Sequence, residues 1–287
     1  MTKNGRLCKY LRPIGFALML GFTLLIGCTD LGEVTQFAEA SANVGKTFPA
    51  MASAAKDACA KANTFGHLNS NNLPELDCSI YDRLNAPLEQ VNDALFGYIA
   101  SIGKLASKDV SSAAAGLKNV STDLKQADPT ISTSNQNKAS AATSLATAIT
   151  NIWASRYREH ELEKLVGESN PHVQSVAAFL SDYAADKFRQ SFEDEWRYEN
   201  SYCTGTSSTR EPIAVDLLRM MCSRDKEKVD RKLAAVEAYQ AALQTIAQTH
   251  NKLNDERGHW DLKQLSKDIG PQIVSLGSSA VTINKAF

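Results

Sequence analysis

Two short stretches of the chain contain part of a metal-binding motif. Residues 160–164 read His-Glu-Leu-Glu-Lys and begin like a zinc-peptidase helix, where two histidines four residues apart bind zinc. Lys164 occupies the position of the second histidine, so the helical turn offers one ligand. Glu256 and His259 have the Glu-x-x-His spacing of di-iron bundles, which need a second such motif and two further glutamates. The sequence therefore predicts no metal and no other cofactor.

A candidate nucleophile is also incomplete. Ser53 and Lys56 match Ser-x-x-Lys, in which a lysine assists a serine in acyl transfer, but the partner motifs of that chemistry are absent. The chain contains no Gly-x-Ser-x-Gly turn and no glycine-rich phosphate loop. An enzyme is therefore the least favoured class of function.

Two clusters of aromatic and charged residues could line a ligand groove. One has helical spacing i, i+3, i+4, i+7 and consists of Trp153, Arg156, Tyr157 and His160. The other lies within residues 192–198 and includes Trp196 and Arg197. In such a groove an arginine would face an anion. The favoured alternative is that the aromatic rings cap the core while the charges are solvated or paired along their own helix.

The most informative motif lies at the N-terminus. An apolar run over residues 14–26 is too short to span a bilayer and follows four basic residues, Lys3, Arg6, Lys9 and Arg12. The run ends in Leu25-Ile26-Gly27-Cys28, which resembles the lipobox of bacterial lipoprotein signal peptides. The resemblance implies removal of residues 1–27 and acylation of Cys28. The alternatives are an ordinary secretory signal and an uncleaved anchor with a chance cysteine.

The same resemblance implies a destination. Thr29, not aspartate, follows Cys28, and in Gram-negative lipoproteins this implies export to the outer membrane. Residues 28–33 would then be a tether, and residues 34–287 a domain that faces the periplasm or the cell surface. The first expected partner is therefore the membrane, through the lipid on Cys28.

The remaining cysteines fit an oxidising compartment. Cys59 and Cys78 are 19 residues apart, and Cys203 and Cys222 are 19 residues apart as well. This spacing favours two local disulfides, each closing a helix–loop–helix corner and stabilising it by about 3 kcal/mol. The alternative, a zinc site made of four thiolates, lacks the usual Cys-x-x-Cys pairs.

Apolar residues recur with a period of 3.6 along most of the chain, whereas alternating β-branched runs are nearly absent. This pattern predicts an all-α antiparallel bundle of long helices. The stripes lie at residues 34–65, 84–105, 110–124, 142–166, 173–188, 229–253 and 262–283. Predicted breaks fall at Pro49, at residues 66–74, after Asp128, at Asn170-Pro171 and at residues 204–212.

The sequence pattern also indicates an internal repeat and a segment of low stability within the domain. A shift of 144 residues superposes both cysteine pairs and indicates a weak internal repeat. Residues 107–151 are rich in Ala, Ser and Thr, so each turn buries little area, and this helical hairpin should be the least stable part of the domain. It could serve partner docking or form a thin extended arm.

Composition excludes one class of partner. The chain has 31 basic and 32 acidic residues, and loss of the four basic residues in the signal leaves 27 against 32. A net negative charge argues against nucleic-acid binding.

We therefore expect a non-enzymatic envelope lipoprotein that acts through a protein partner in the envelope or as a scaffold. A helical sensor or ligand-binding lipoprotein, using the groove residues, is the first alternative. A protective lipoprotein that blocks phage or toxin entry is the second. The sequence leaves open the partner and the oligomeric state.

Overall fold

The computed structural model describes residues 31–68, 73–107, 120–154, 159–205, 211–258 and 262–287, without the side chains of residues 120–122, 150–154, 159–161, 205, 262, 263, 265 and 266. These ranges contain helices and turns and no β-strand, which confirms the predicted all-α fold. The helices are α1 (Gly32–Gly45), α2 (Phe48–Leu68), α3 (Ser79–Ala106), α4 (Val120–Ala127), α5 (Thr133–Ala154), α6 (Glu159–Phe179), α7 (Ala185–Gly205), α8 (Pro212–Asp255) and α9 (Leu262–Asn284).

Two long helical segments run in opposite directions along the bundle. One consists of α6, a π-helical turn at Leu180–Ala184 and α7, and the other is the 44-residue α8. Gln174 donates a hydrogen bond to the Ala247 carbonyl (2.7 Å), and Lys232 donates to Glu195 (2.6 Å) further along the pair. At 1.5 Å per residue, α8 is about 66 Å long.

The folded domain begins close to the proposed lipid site. Leu31 is already buried (2% exposed) and α1 starts at Gly32, so the fold begins before residue 34. α1 and α2 are separated by a short turn in which the Thr47 hydroxyl donates to the Val44 carbonyl (2.7 Å). The predicted restart at Pro49 is confirmed, because this residue lies in the first turn of α2, where no N–H is required.

Glycines allow α1 and α3 to cross closely in antiparallel orientation. A Cβ atom at Gly45 would overlap the ring of Phe96, and one at Gly103 would overlap the Cβ of Ala38. These contacts fix α1 against the centre and the C-terminal end of α3.

Two helical hairpins are each closed by a disulfide. Cys59–Cys78 joins α2 to the start of α3, with Cα atoms 5.6 Å apart, and Cys203–Cys222 joins α7 to α8 at 6.3 Å. Both predicted pairings are confirmed. α2 and α7 pack side by side in the same direction, so the hairpins share a topology, while common ancestry of the two halves stays a prediction.

The predicted end of a helix at Asp128-Pro129 is confirmed as the end of α4. Asp128 accepts hydrogen bonds from the Tyr183 hydroxyl (2.6 Å) and the Thr130 amide (3.0 Å) and pairs with Lys187 (3.2 Å). Burial alone would raise the pKa of this carboxyl group, but the hydrogen bonds and the lysine lower it to about 2. Asp128 therefore ties the turn between α4 and α5 to the π-helical turn.

The described part of the Ala/Ser-rich segment packs into the body. Ala139, Ala142, Leu145 and Ile149 of α5 are buried in the common core, against α3 and α6. An extended arm is therefore wrong for residues 123–149, while the low stability of the segment stays a prediction. Residues 108–119 lie outside the described residues.

Two predicted helix boundaries are wrong. The stripe at residues 142–166 belongs to α5 and α6, which pack against each other, and α6 continues through the predicted break at Pro171. Asn170 lies inside α6, and its side chain accepts from Nδ1 of His250 (3.0 Å) and donates to Asn251 (3.0 Å). These contacts with α8 support the helix where proline lacks an N–H.

The helix directions define two ends of the bundle. The end that we call the base contains the start of α1, the end of α3, the start of α6, the end of α8 and the start of α9. There the Thr35 hydroxyl contacts the Gly103 carbonyl (3.4 Å), and the Arg257 guanidinium packs on Gly167. The tip, at the opposite end, consists of residues 212–221 of α8.

Candidate functional site

Two of the predicted groove positions, 160 and 196, lie far apart in the structure. Arg156 and Tyr157 lie outside the described residues, as do the side chains of Trp153 and His160. The backbone places position 160 near the start of α6, at the base, whereas Trp196 lies on α7. The helix is continuous between positions 160 and 196, which separates them by about 54 Å. A single groove that includes both position 160 and Trp196 is therefore excluded.

The second cluster has structural partners of its own. Trp196 is half-buried at the edge of the core, and Lys226 Nζ lies 5.5 Å from the centre of its ring. Arg197 is exposed and pairs with Asp194 on the same helix (2.6 Å). This arrangement matches the interpretation in which rings cap the core and charges pair locally.

A charged cluster lies beneath this surface, between α2, α7 and α8. Lys61 Nζ is 2.9 Å from Glu199, 3.1 Å from Glu195 and 3.6 Å from Asp225. The side chains of Glu195 and Glu199 are each only 3% exposed. Lys232 also pairs with Glu195 (2.6 Å), and Lys228 pairs with Asp225 (2.7 Å).

The cluster holds two carboxyl groups in contact with each other. Burial and the neighbouring Asp225 raise the pKa of Glu199, although Lys61 opposes the shift. Burial would raise the pKa of Asp225, but Lys228 and Lys61 lower it. Of these two carboxyl groups, Glu199 therefore takes up a proton first as the pH falls.

The sequence contained a signal for this cluster that the helical stripes left unused. Phe188 and Phe192 face the core, and Glu195 and Glu199 continue their stripe at i+3 and i+4 spacing. A carboxylate at a core-facing position needs a buried cation. That partner, Lys61, lies 134 residues from Glu195 in sequence, so its identity required the fold.

A second set of buried polar side chains spans the bundle, nearer to the base than the charged cluster. Tyr98 on α3 contacts Nε2 of His250 on α8 (3.0 Å), and Nδ1 of the same ring contacts Asn170 on α6 (3.0 Å). Both Tyr98 and His250 are fully buried. Burial lowers the pKa of His250 to about 3, so the ring is neutral at neutral pH. The group joins three helices.

A cleft of about 310 Å³ lies between α5 and α6. Its lining is mostly hydroxyl-bearing or charged and includes Thr143, Ser144, Thr147, Glu168, Ser169 and His172.

The tip carries the most exposed apolar surface of the described chain. Ile213, Leu217, Met220 and Met221 are 76%, 56%, 70% and 53% exposed. Their spacing places them on one side of α8, and we call them the tip stripe. Cys222, which anchors α8 to α7, lies on the opposite side of the helix from Leu217. α8 therefore presents this stripe from a position fixed by the disulfide.

Across the described ranges, no group of three His, Cys, Asp or Glu side chains is arranged to hold a metal ion. In the same ranges, no helix has both the length and the apolar character needed to cross a bilayer. The proposed signal peptide and Cys28 lie outside the described residues.

Comparison with known proteins gives no relative for this chain. No protein-family model matches it, and neither the curated proteins nor the solved structures yielded a match.

Proposed function

We propose that this protein is a lipid-anchored lipoprotein of the bacterial envelope that binds a protein partner through the tip stripe. The lipobox at residues 25–28 supports the anchor. The single observation that supports binding is the cluster of four exposed apolar side chains at the tip of α8. Exposed apolar patches of this kind mark interaction sites in soluble domains. The proposed location is the outer membrane, with the domain facing the periplasm or the cell surface.

The shape of the tip favours a concave partner. α7 ends at Gly205, shortly after its disulfide to Cys222, and every residue of α8 from 212 to 221 is exposed or half-exposed. A protruding helix with one apolar side fits an apolar groove. Two of the four stripe residues are methionines, whose flexible side chains adapt to such a groove. We therefore propose a groove on another envelope protein as the occupant.

The anchor is tested by metabolic labelling with palmitate in cells that express the full chain. We expect label in the wild-type protein and none in Cys28→Ser. Equal labelling of both proteins would refute lipidation at Cys28. Recovery of labelled protein with the inner membrane would refute the proposed destination.

Partner binding is tested with a photo-crosslinking amino acid placed in α8 in living cells. We expect adducts of one mass from positions 213, 217 and 220, and none from the matched position 219. Arg219 is 77% exposed on the opposite side of the helix. Ile213→Asp should abolish the adduct formed from position 217, because both belong to the same stripe.

Other adduct patterns would contradict the proposed partner. An adduct of twice the monomer mass would replace the partner by a second copy of the chain. Adducts to lipid alone, or equal crosslinking from position 219, would refute protein docking through the stripe.

A further inference from the structure

We infer that the base of the bundle rests against the membrane that anchors the protein, so that α8 holds the tip stripe away from that membrane. This inference rests on the proposed lipidation of Cys28. It adds an orientation and a second interaction surface, the base, whose partner is the layer of lipid headgroups.

Only a short length of chain separates the proposed lipid site from the fold. Cys28 and Leu31 are three residues apart, and an extended chain covers at most about 3.6 Å per residue. The Cα atom of Leu31 therefore lies within about 11 Å of the Cα atom of the lipidated cysteine. Leu31 is 2% exposed, so this short distance ends in the packed domain rather than in a further linker.

The connection from Leu31 to the rest of the bundle is rigid. The Leu31 carbonyl accepts the Thr35 amide (3.2 Å) as α1 begins. One turn later α1 crosses α3, where Gly103 lies against Ala38. Because only three residues separate the anchor from the base of the bundle, the base is the part of the body closest to the lipid.

The long sides of the bundle offer little apolar surface to hold the body flat on the membrane. Of the eight large apolar residues that are exposed in the described ranges, four form the tip stripe and Leu68 lies at the same end. Among the described side chains of α9, only Val274 and Val281 are comparably exposed. A small patch of two valines gives a weak hold compared with an embedded lipid chain.

The orientation is measured by energy transfer from the protein to labelled lipid headgroups. The full chain is expressed in bacteria, purified and reconstituted in vesicles that contain a trace of acceptor-labelled lipid. A donor is attached through p-azidophenylalanine at position 255, 230 or 213 of α8, all exposed. Positions 230 and 213 lie about 38 and 63 Å from position 255 along the helix.

We expect energy transfer to fall in the order 255, 230, 213. Equal transfer from the three positions, or the reverse order, would overturn the inference, since the body would then lie flat or point downwards. A variant with twenty Gly and Ser residues inserted between Asp30 and Leu31 is the control. It should lower transfer from position 255, and an unchanged profile would show that the short connection does not set the orientation.

Palmitate labelling of the same samples separates the two proposals. Absence of label would refute the anchor and, with it, the orientation. Label together with a flat transfer profile would refute the orientation and leave the anchor and partner binding intact.

Discussion

The hydroxyl group of Tyr98 donates a hydrogen bond to Nε2 of His250 across 3.0 Å, and both side chains are fully buried. The direction follows from the other ring nitrogen. Nδ1 contacts Oδ1 of Asn170, because the amide nitrogen of Asn170 donates to Asn251. Oδ1 can only accept, so Nδ1 carries the proton and Nε2 is the acceptor. A neutral histidine therefore completes a chain of hydrogen bonds across α3, α8 and α6.

This set of hydrogen bonds around His250 makes the stability of the fold sensitive to acid. Burial lowers the pKa of His250 to about 3, whereas an unfolded histidine has a pKa near 6.5. Between these values the unfolded state binds the proton, so stability is complete above pH 6.5 and is lost as the pH falls. From this group alone we expect the protein to be roughly 3 kcal/mol less stable at pH 4 than at pH 7. Urea unfolding followed by circular dichroism measures the difference.

His250→Gln is the variant that isolates this effect, because glutamine forms hydrogen bonds but does not titrate. We expect this variant to be less stable than wild type at pH 7. We also expect its free energy of unfolding to change less between pH 7 and pH 4. His172→Gln, at a half-exposed position on α6, is the control and should keep the wild-type dependence. A His250→Gln protein with the full wild-type pH dependence would contradict the assignment.

The charged cluster predicts unequal effects for two lysines of the same helix. Lys61→Met leaves Glu199 buried without the cation at 2.9 Å, and removing one member of a buried ion pair costs about 3 kcal/mol or more. Lys56→Met breaks an exposed pair with Asp82 and should cost much less, because solvent screens an exposed ion pair. Urea midpoints at pH 7 compare the two variants. Equal losses of stability in the two variants would mean that Glu199 is solvated or is paired with another cation.

Much of the fold follows from local patterns in the sequence. The 3.6-residue stripes predicted helices, Pro49 and Pro129 predicted two breaks, and equal cysteine spacing predicted both disulfides. Each signal acts within about twenty residues, so it needs no knowledge of tertiary contacts. The helix boundary at Asn170 shows where this reasoning fails, since α8 supplies the contacts that carry α6 through Pro171.

The candidate site was less predictable than the fold. Glu195 and His250 occupy core-facing positions of stripes, which signals a buried polar group, but their partners lie on other helices. The clusters that include positions 160 and 196 suggested one groove, whereas a continuous helix holds these two positions far apart. Spacing along the chain could not reveal this, because it does not fix which ends of the helices meet.

The disulfide next to the tip should control the order of the tip stripe. We expect Cys203→Ser combined with Cys222→Ser to lower stability by about 3 kcal/mol without loss of helix content, because the apolar stripes remain. Hydrogen exchange should accelerate in residues 212–224 and much less in residues 229–253. Cys59→Ser combined with Cys78→Ser is the matched control, and it should leave exchange at the tip unchanged. Equal acceleration at the tip in both double variants would refute local control.

The Ala/Ser-rich segment should open more easily than the centre of α8. Most of the described buried side chains of α5 are alanines, whereas α8 buries Val236, Tyr239, Leu243 and Ile246. Because the free energy of local opening follows the buried contacts, amide exchange should be faster in residues 139–149 than in residues 229–253. Exchange measured by mass spectrometry on a verified monomer tests this expectation. Equal protection of the two segments would show that the close approach of α5 to α3 and α6 compensates for its small side chains.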